Sequence, residues 1–123
     1  MLNILVIPPD VAFYAKDILS LIEEIKAVYP ESSVSVVVSL STYDSYYNSQ
    51  YVDGLIIEPE SLLKRLSCIL TSHYPLALVA RDDFIWKIIL FKARIKYRLN
   101  LKSYLDNTNK KAVINSITAL NLT

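Results

Sequence analysis

Glycine is almost absent from this chain, which limits how the protein could bind phosphate groups. The 123 residues include a single glycine, Gly54. Loops that hold a dinucleotide or a nucleotide triphosphate normally contain several glycines, because the main chain must approach the phosphates closely. The sequence therefore argues against a Rossmann cofactor site and against a P-loop, and we expect no cofactor.

Cysteine and histidine are equally scarce, and each occurs once, as Cys68 and His73. A single cysteine excludes an internal disulfide and a zinc site rich in thiolates. We expect Cys68 to be a small apolar residue inside a helix. No nucleophile motif surrounds His73, so we predict no catalytic residue, no metal site and no enzymatic activity.

Long apolar runs are also missing, since none approaches the roughly 18–20 residues that a membrane span requires. The chain starts with Met-Leu-Asn-Ile-Leu-Val-Ile, which predicts a strand from Asn3 rather than a signal peptide. We therefore expect no membrane association and a cytoplasmic location.

The charged residues are unevenly distributed along the chain. Residues 1–80 contain four basic and nine acidic residues, a balance of −5, whereas residues 81–123 contain nine basic and three acidic ones, a balance of +6. Such asymmetry can indicate a surface for an acidic partner, for nucleic acid or for self-association. The alternative is that these charges lie on solvated faces of helices.

Apolar runs rich in β-forming residues alternate with helical periodicity over the whole chain. We predict strands at 3–8, 33–40, 54–59, 76–80 and 101–105, and helices over 11–29, from Ser41 or Thr42, over 60–74, over 83–95 and from Asn107 or Thr108. Asp10 is expected to cap the first helix. This alternation predicts an α/β fold, a doubly wound five-stranded parallel sheet of (βα)5 type in flavodoxin-like order, as one domain over residues 1–123.

The order of elements and two stretches of sequence resemble a CheY-like receiver domain of bacterial response regulators. The stretch Asp-Gly-Leu-Ile-Ile-Glu-Pro, residues 53–59, lies where receivers end their third strand on the phosphorylated aspartate. Residues 101–120 are similar to the fifth strand and last helix of that family. The resemblance implies a flavodoxin/CheY-like fold and a regulatory role through protein contacts, with Glu58 at the phosphoacceptor position.

The residues that receivers use for phosphoryl chemistry are missing from this chain. Pro8 and Pro9 stand where receivers have the acidic pair that binds magnesium, and Ala80 replaces the hydroxyl residue that follows the fourth strand. Magnesium requires hard oxygen ligands, and phosphoryl transfer depends on the charge they help to neutralise. The resemblance therefore implies a pseudo-receiver in which Glu58 supplies a fixed charge. The alternative is a structural carboxylate that caps a helix or pairs with Arg81.

Polar residues at the ends of the predicted strands form a further candidate site, because open parallel sheets bind ligands beyond the carboxyl ends of their strands. This edge is predicted to carry Asp10, Ser41, Thr42, Glu58, Arg81, Asp82 and Asp83. Carboxylates there could recruit a metal, although capping and solvation explain Asp82 and Asp83 more simply. The alternative function is thus a Rossmann-like module that senses a small molecule or nucleotide.

The predicted helix over 83–95 is more apolar than one buried face requires. The apolar side chains outside that buried face are expected to contact a second copy of the chain, which predicts a homodimer. The resemblance also supports a dimer, because receivers often dimerise through their fourth and fifth helices and fifth strand. The candidate interface residues are Trp86, Leu90, Phe91, Arg94, Tyr97 and Tyr104. A role in transcription regulation is implied by the resemblance alone. A third alternative is nucleic-acid binding by the basic carboxyl-terminal third, for which no motif is visible.

Overall fold

A five-stranded parallel sheet forms the centre of the molecule. The structure, a computed structural model, describes residues 2–59, 61, 64, 65, 67, 69, 74–81 and 83–122. The strands are β1 (Asn3–Ile7), β2 (Ser33–Val38), β3 (Gly54–Ile57), β4 (Leu76–Val79) and β5 (Tyr97–Asn100). Their order across the sheet is β3-β2-β1-β4-β5, and every neighbouring pair is parallel. The predicted fold class, a doubly wound five-stranded α/β sheet, is confirmed.

Helices cover both faces of this sheet. They are α1 (Ala15–Val28), which a 3-10 turn over Ala12–Tyr14 precedes, α2 (Tyr43–Tyr47), α3 (Phe84–Lys92), α4 (Lys102–Asn107) and α5 (Lys110–Ala119). Lys64, Arg65, Ser67 and Ile69 are also helical. Most other residues of the helix predicted over 60–74, including Cys68 and His73, lie outside the described residues. Within the described part of the chain, no helix is long and apolar enough to cross a bilayer.

Each face of the sheet has its own apolar core. Successive strand residues point to opposite faces, so Ile4 and Val6 of β1 join a core with α1, α2, α4 and α5, whereas Leu5 and Ile7 join a core with α3. All four residues are fully buried. Coverage on both faces explains why the strands have continuous apolar runs rather than an alternating pattern.

The strand order separates the end of β1 from the end of β3. In flavodoxins and receivers the order is 2-1-3-4-5, which places β3 beside β1. Here β2 lies between them, and the order 3-2-1-4-5 is that of the first five strands of the classic dinucleotide-binding fold. The direction of the connections reverses between β1 and β4. The crevice in which this class of fold binds ligands therefore lies at the carboxyl ends of those two strands.

The prediction of a fifth strand at 101–105 is wrong. The strand lies earlier, at Tyr97–Asn100, and the predicted stretch is helical from Lys102. β5 is an edge strand, so two of its four residues, Arg98 and Asn100, are exposed and its apolar signal is weak. Tyr104 is consequently a buried helical residue, and its hydroxyl donates to the main-chain carbonyl of Asp17 at 2.7 Å.

Two of the predicted helix caps are also wrong. Asp10 does not cap α1, because the N-cap residue of that helix is Tyr14 and no side chain caps it. The last helix starts after Asn109, whose side chain accepts a main-chain hydrogen bond, rather than after Asn107 or Thr108. The region between β5 and α5 is therefore occupied by the short helix α4 instead of a strand and a turn.

Candidate functional site at the carboxyl edge of the sheet

Glu58 is the first residue after β3 and lies at the carboxyl edge of the sheet. Its main-chain N–H donates to the carbonyl of Val38 at 2.8 Å, which fixes the chain at the end of the strand. The side chain is only 10% exposed. A carboxylate with so little access to water requires hydrogen-bond partners and compensating charge within the protein.

Three side chains surround the Glu58 carboxylate. Arg81 donates from Nη1 to Oε1 at 3.0 Å and from Nη2 to Oε2 at 2.8 Å, which makes a bidentate pair. The indole Nε1 of Trp86 donates to Oε1 at 3.0 Å, and Nη1 of Arg65 lies 3.2 Å from the same oxygen. The alternative reading of Glu58 as the ion-pair partner of Arg81 is therefore confirmed.

Arg81 connects the ends of three strands. It lies just after β4, and its Nε donates to the carbonyl of Pro8, the first residue after β1, at 3.1 Å. Its Nη atoms bind Glu58 after β3, and Nη2 also lies 4.0 Å from Oδ1 of Asp10. The guanidinium group thus lies at the crevice between β1 and β4, where this class of fold binds ligands. The protein's own side chains occupy that position.

Opposing effects act on the pKa of Glu58. Burial by itself raises this pKa, because burial penalises the charged form. The hydrogen bonds from Arg81 and Trp86, together with the charges of Arg81 and Arg65, outweigh burial, and the pKa of Glu58 is lowered. The carboxylate is therefore ionised at neutral pH, and two guanidinium groups compensate its charge.

The lowered pKa of Glu58 predicts a loss of stability in acid. A carboxyl group whose pKa is lower in the folded state stabilises the protein above its unfolded pKa, about 4.3 for Glu, and this stabilisation disappears as the pH falls through the folded pKa. We expect the free energy of unfolding of the wild type to decrease below about pH 5. Urea unfolding at successive pH values measures this decrease.

A Glu58→Gln variant isolates the contribution of this one carboxyl group. Asp53, whose pKa is also lowered, is unchanged in the variant and affects both proteins equally. We expect the stability difference between wild type and variant to be largest at neutral pH and to shrink in acid, where Glu58 becomes neutral like glutamine. A difference that stays constant with pH would contradict this assignment.

The remaining predicted residues of this edge make local contacts. Thr42 is the N-cap residue of α2, and its Oγ1 accepts a hydrogen bond from the N–H of Ser39 at 3.0 Å. The hydroxyl of Ser41 lies 2.8 Å from that of Ser39. The side chain of Asp83 caps α3 by accepting a hydrogen bond from the main-chain N–H of Ile85 at 2.9 Å, which confirms the alternative that Asp83 caps a helix. Asp82 lies outside the described residues.

In the part of the chain that is described, no three ligating side chains come together as a metal site would require.

Exposed apolar side chains border the same edge, and the site predicted there did not include them. Six large apolar residues at this edge are 44% to 88% exposed. Two follow β1, one follows β2, one ends β3 and two begin α3: Val11, Phe13, Leu40, Ile57, Phe84 and Ile85. We call this set the apolar rim. A usable signal is that Leu40 lies two residues after Val38, the last residue of β2. Phe13 likewise lies off the helical face that Val11 and Ala15 share. Polar residues are usual at such positions.

Three of the predicted interface residues are buried inside the chain. Trp86 and Leu90 are each 1% exposed and Tyr104 is 4% exposed, because all three pack in the cores on either side of the sheet. They offer no surface to a partner, so their assignment to an interface is wrong. The other three predicted interface residues are exposed or half-buried: Phe91, Arg94 and Tyr97.

No protein-family model and no curated protein matches this chain. A solved structure that does match is that of ADP-heptose LPS heptosyltransferase II from E. coli, with a TM-score of 0.69 and 21% sequence identity. The match covers 79% of this chain and 30% of that chain, so our chain spans less than a third of the enzyme. At this level of identity, the similarity shows a shared fold and nothing further.

Proposed function

We propose that the chain is a non-enzymatic protein-interaction domain that binds its partner through the apolar rim and does not respond to phosphate. The proposal depends on one observation: the Glu58–Arg81 pair lies at the crevice of the sheet, while apolar side chains that border the same edge face solvent. A small ligand would have to displace a half-buried ion pair. A protein surface has only to cover groups that are already exposed.

The partner in this proposal is a second copy of the chain, so that the functional state is a homodimer. Both signs of charge border the rim, since the exposed carboxylate of Asp10 lies 4.0 Å from the guanidinium group of Arg81. A two-fold contact brings the same patch of each copy together, and a patch with both signs is complementary to itself. The regulatory role implied by the receiver resemblance, transcription regulation included, depends on this contact rather than on phosphorylation.

A substitution on the rim tests this proposal. Phe84 is 73% exposed, so Phe84→Ser is expected to leave the fold intact and to weaken dimerisation about tenfold or more, as the loss of a central aromatic contact does. Sedimentation equilibrium of the 14.0 kDa chain measures the monomer–dimer equilibrium. Phe91→Ser is the matched control, because Phe91 is 69% exposed but lies outside the rim. A wild type that stays monomeric at high concentration would contradict the homodimer.

A second candidate function is supported by the similarity to the heptosyltransferase. That enzyme's name includes ADP-heptose, and the strand order of our chain is the one in which ligands bind at the β1–β4 crevice. The chain would then be one domain of a larger nucleotide-sugar-binding protein. Thermal unfolding with ADP-heptose separates the two candidates, because a ligand at 100 times its Kd adds about 2.7 kcal/mol to stability. An increase in Tm would favour the second candidate, and an unchanged Tm would favour the first.

A further inference from the structure

One edge of the sheet is open at β5. Within the described residues, β5 pairs with β4 and with no other strand. The N–H groups of Tyr97 and Leu101 donate to carbonyls on the β4 side, those of Pro75 and Val79. The main-chain N–H and C=O groups of one strand residue point to one lateral side of the strand, and those of the next residue point to the other side. The main-chain N–H and C=O of Arg98 therefore point away from β4, toward the open edge.

Basic side chains accompany this open edge. Four basic residues alternate with other residues from the last residue of α3 into β5, and all four are exposed: Lys92, Arg94, Lys96 and Arg98. None of them forms an ion pair with another described residue. The segment from residue 84 to residue 105 contains no acidic residue. The charge of this edge is therefore uncompensated by its own segment of the chain.

The four basic residues line a hollow together with two apolar side chains. It has a volume of about 510 Å³, and its lining includes Phe91 and Ile95 in addition to the basic side chains. Phe91 is 69% exposed and Ile95 is 4% exposed, so the lining includes one exposed aromatic side chain and one buried aliphatic side chain. A ligand that fits this surface combines regularly spaced negative charges with an apolar side chain.

We propose that the open edge of β5 binds an extended peptide with acidic residues at alternating positions, which adds to the sheet as a sixth strand. Alternate residues of an extended strand are about 6.6 Å apart, so carboxylates at alternate peptide positions match the spacing of Lys96 and Arg98. The peptide main chain binds the free N–H and C=O groups of the edge. This surface is separate from the apolar rim, so the inference goes beyond the proposed function.

Nucleic acid fits the same edge less well. Single-stranded nucleic acid binds where several aromatic rings stack on successive bases beside a basic groove. Phe91 is the one strongly exposed aromatic ring among the residues that line the hollow. A phosphate backbone also has few donors for the free carbonyl groups of β5, whereas a peptide main chain supplies a donor at alternate residues. The geometry therefore favours an acidic peptide.

Binding of a labelled octapeptide of alternating glutamate and valine, measured by fluorescence anisotropy, tests this proposal. We expect the wild type to bind it, and Lys96→Glu and Arg98→Glu each to weaken binding about tenfold. Lys16→Glu is the matched control, because Lys16 is exposed on α1 and the change in net charge is the same. Binding weakened equally by Lys16→Glu, or no binding by the wild type, would overturn the proposal.

Two further probes separate strand addition from simple charge attraction without any change to the protein. The same peptide with alternate main-chain amides N-methylated keeps every carboxylate but loses the donors that pair with an edge strand, and we expect it not to bind. Equal binding of the methylated peptide would overturn strand addition. Oligo(dT) is the probe for nucleic acid, and binding of oligo(dT) in preference to the peptide, with steep salt dependence, would overturn the choice of ligand.

The variant Phe84→Ser tests whether peptide binding depends on the apolar rim, and it therefore separates this inference from the proposed function. Phe84 lies on the apolar rim and does not line the hollow. We expect Phe84→Ser to bind the octapeptide like the wild type whether or not it dimerises. Loss of peptide binding in Phe84→Ser would mean that the peptide binds the rim instead of β5, which overturns the inference.

Discussion

Replacing Trp86 by alanine is expected to lower the free energy of unfolding by about 3–5 kcal/mol, the range for large aromatic side chains removed from a core. Trp86 is 1% exposed and packs in the core that Leu5 and Ile7 of β1 form with α3. Its indole N–H also donates to Glu58 at 3.0 Å. The substitution therefore opens a cavity and removes one hydrogen bond from a half-buried carboxylate.

A Trp86→Phe variant separates the two effects, because phenylalanine fills most of the space but has no N–H. We expect it to cost about 1–2 kcal/mol for the lost hydrogen bond and the smaller ring. Urea unfolding followed by far-UV circular dichroism suits all variants, since Trp86 is the only tryptophan and its fluorescence is lost with it. Phe84→Ala, at an exposed position of the same helix, is expected to change stability by less than about 0.5 kcal/mol. Equal effects at positions 84 and 86 would mean that α3 is not packed on the sheet through Trp86.

The strands of the sheet differ in how well the sequence predicts them, and burial explains the difference. The predicted strands at 3–8, 33–40, 54–59 and 76–80 agree with β1 to β4 within two residues at each end. β1, β2 and β4 are the most deeply buried and have the clearest apolar runs. β5 lies at the edge, where Arg98 and Asn100 face solvent, so the more apolar stretch that follows it, residues 101–105, has the stronger strand signal.

The order of the strands depends on information that the pattern of elements does not contain. Alternating strands and helices predict a parallel sheet with right-handed crossovers, but orders 2-1-3-4-5 and 3-2-1-4-5 both satisfy these rules. In the folded sheet, β3 pairs with β2 and not with β1. That choice places Glu58 beyond β2 instead of beside β1, and it separates this edge from the arrangement that a receiver would have.

The candidate site was predictable in part. Glu58 and Arg81 each follow a predicted strand, so the rule that carboxyl ends of parallel strands share one edge brings them together. Arg65 and Trp86 lie on helical segments, and the rotation of a helix about its axis is decided by packing against the sheet. Their contacts with Glu58 therefore could not be deduced from spacing alone.

The second large effect concerns the charge at the centre of this edge. Replacing Glu58 by alanine is expected to lower the free energy of unfolding by about 3 kcal/mol, because it leaves two guanidinium groups half-buried without their carboxylate. The side chains of Arg81 and Arg65 are 11% and 16% exposed, so water compensates their charge poorly. Chemical unfolding at pH 7 measures the loss.

A double-mutant cycle with Arg81 shows whether the pair acts as a unit. We expect Glu58→Met together with Arg81→Met to be less destabilising than Glu58→Met alone, since the double variant leaves one fewer cation uncompensated. Asp10→Ala is the control, because Asp10 is 53% exposed and 4.0 Å from Arg81, and its removal is expected to cost less than about 1 kcal/mol. If the effects at positions 58 and 81 were simply additive, the two side chains would not close the crevice together. A small ligand could then compete for Arg81, and the nucleotide-sugar candidate would become the stronger one.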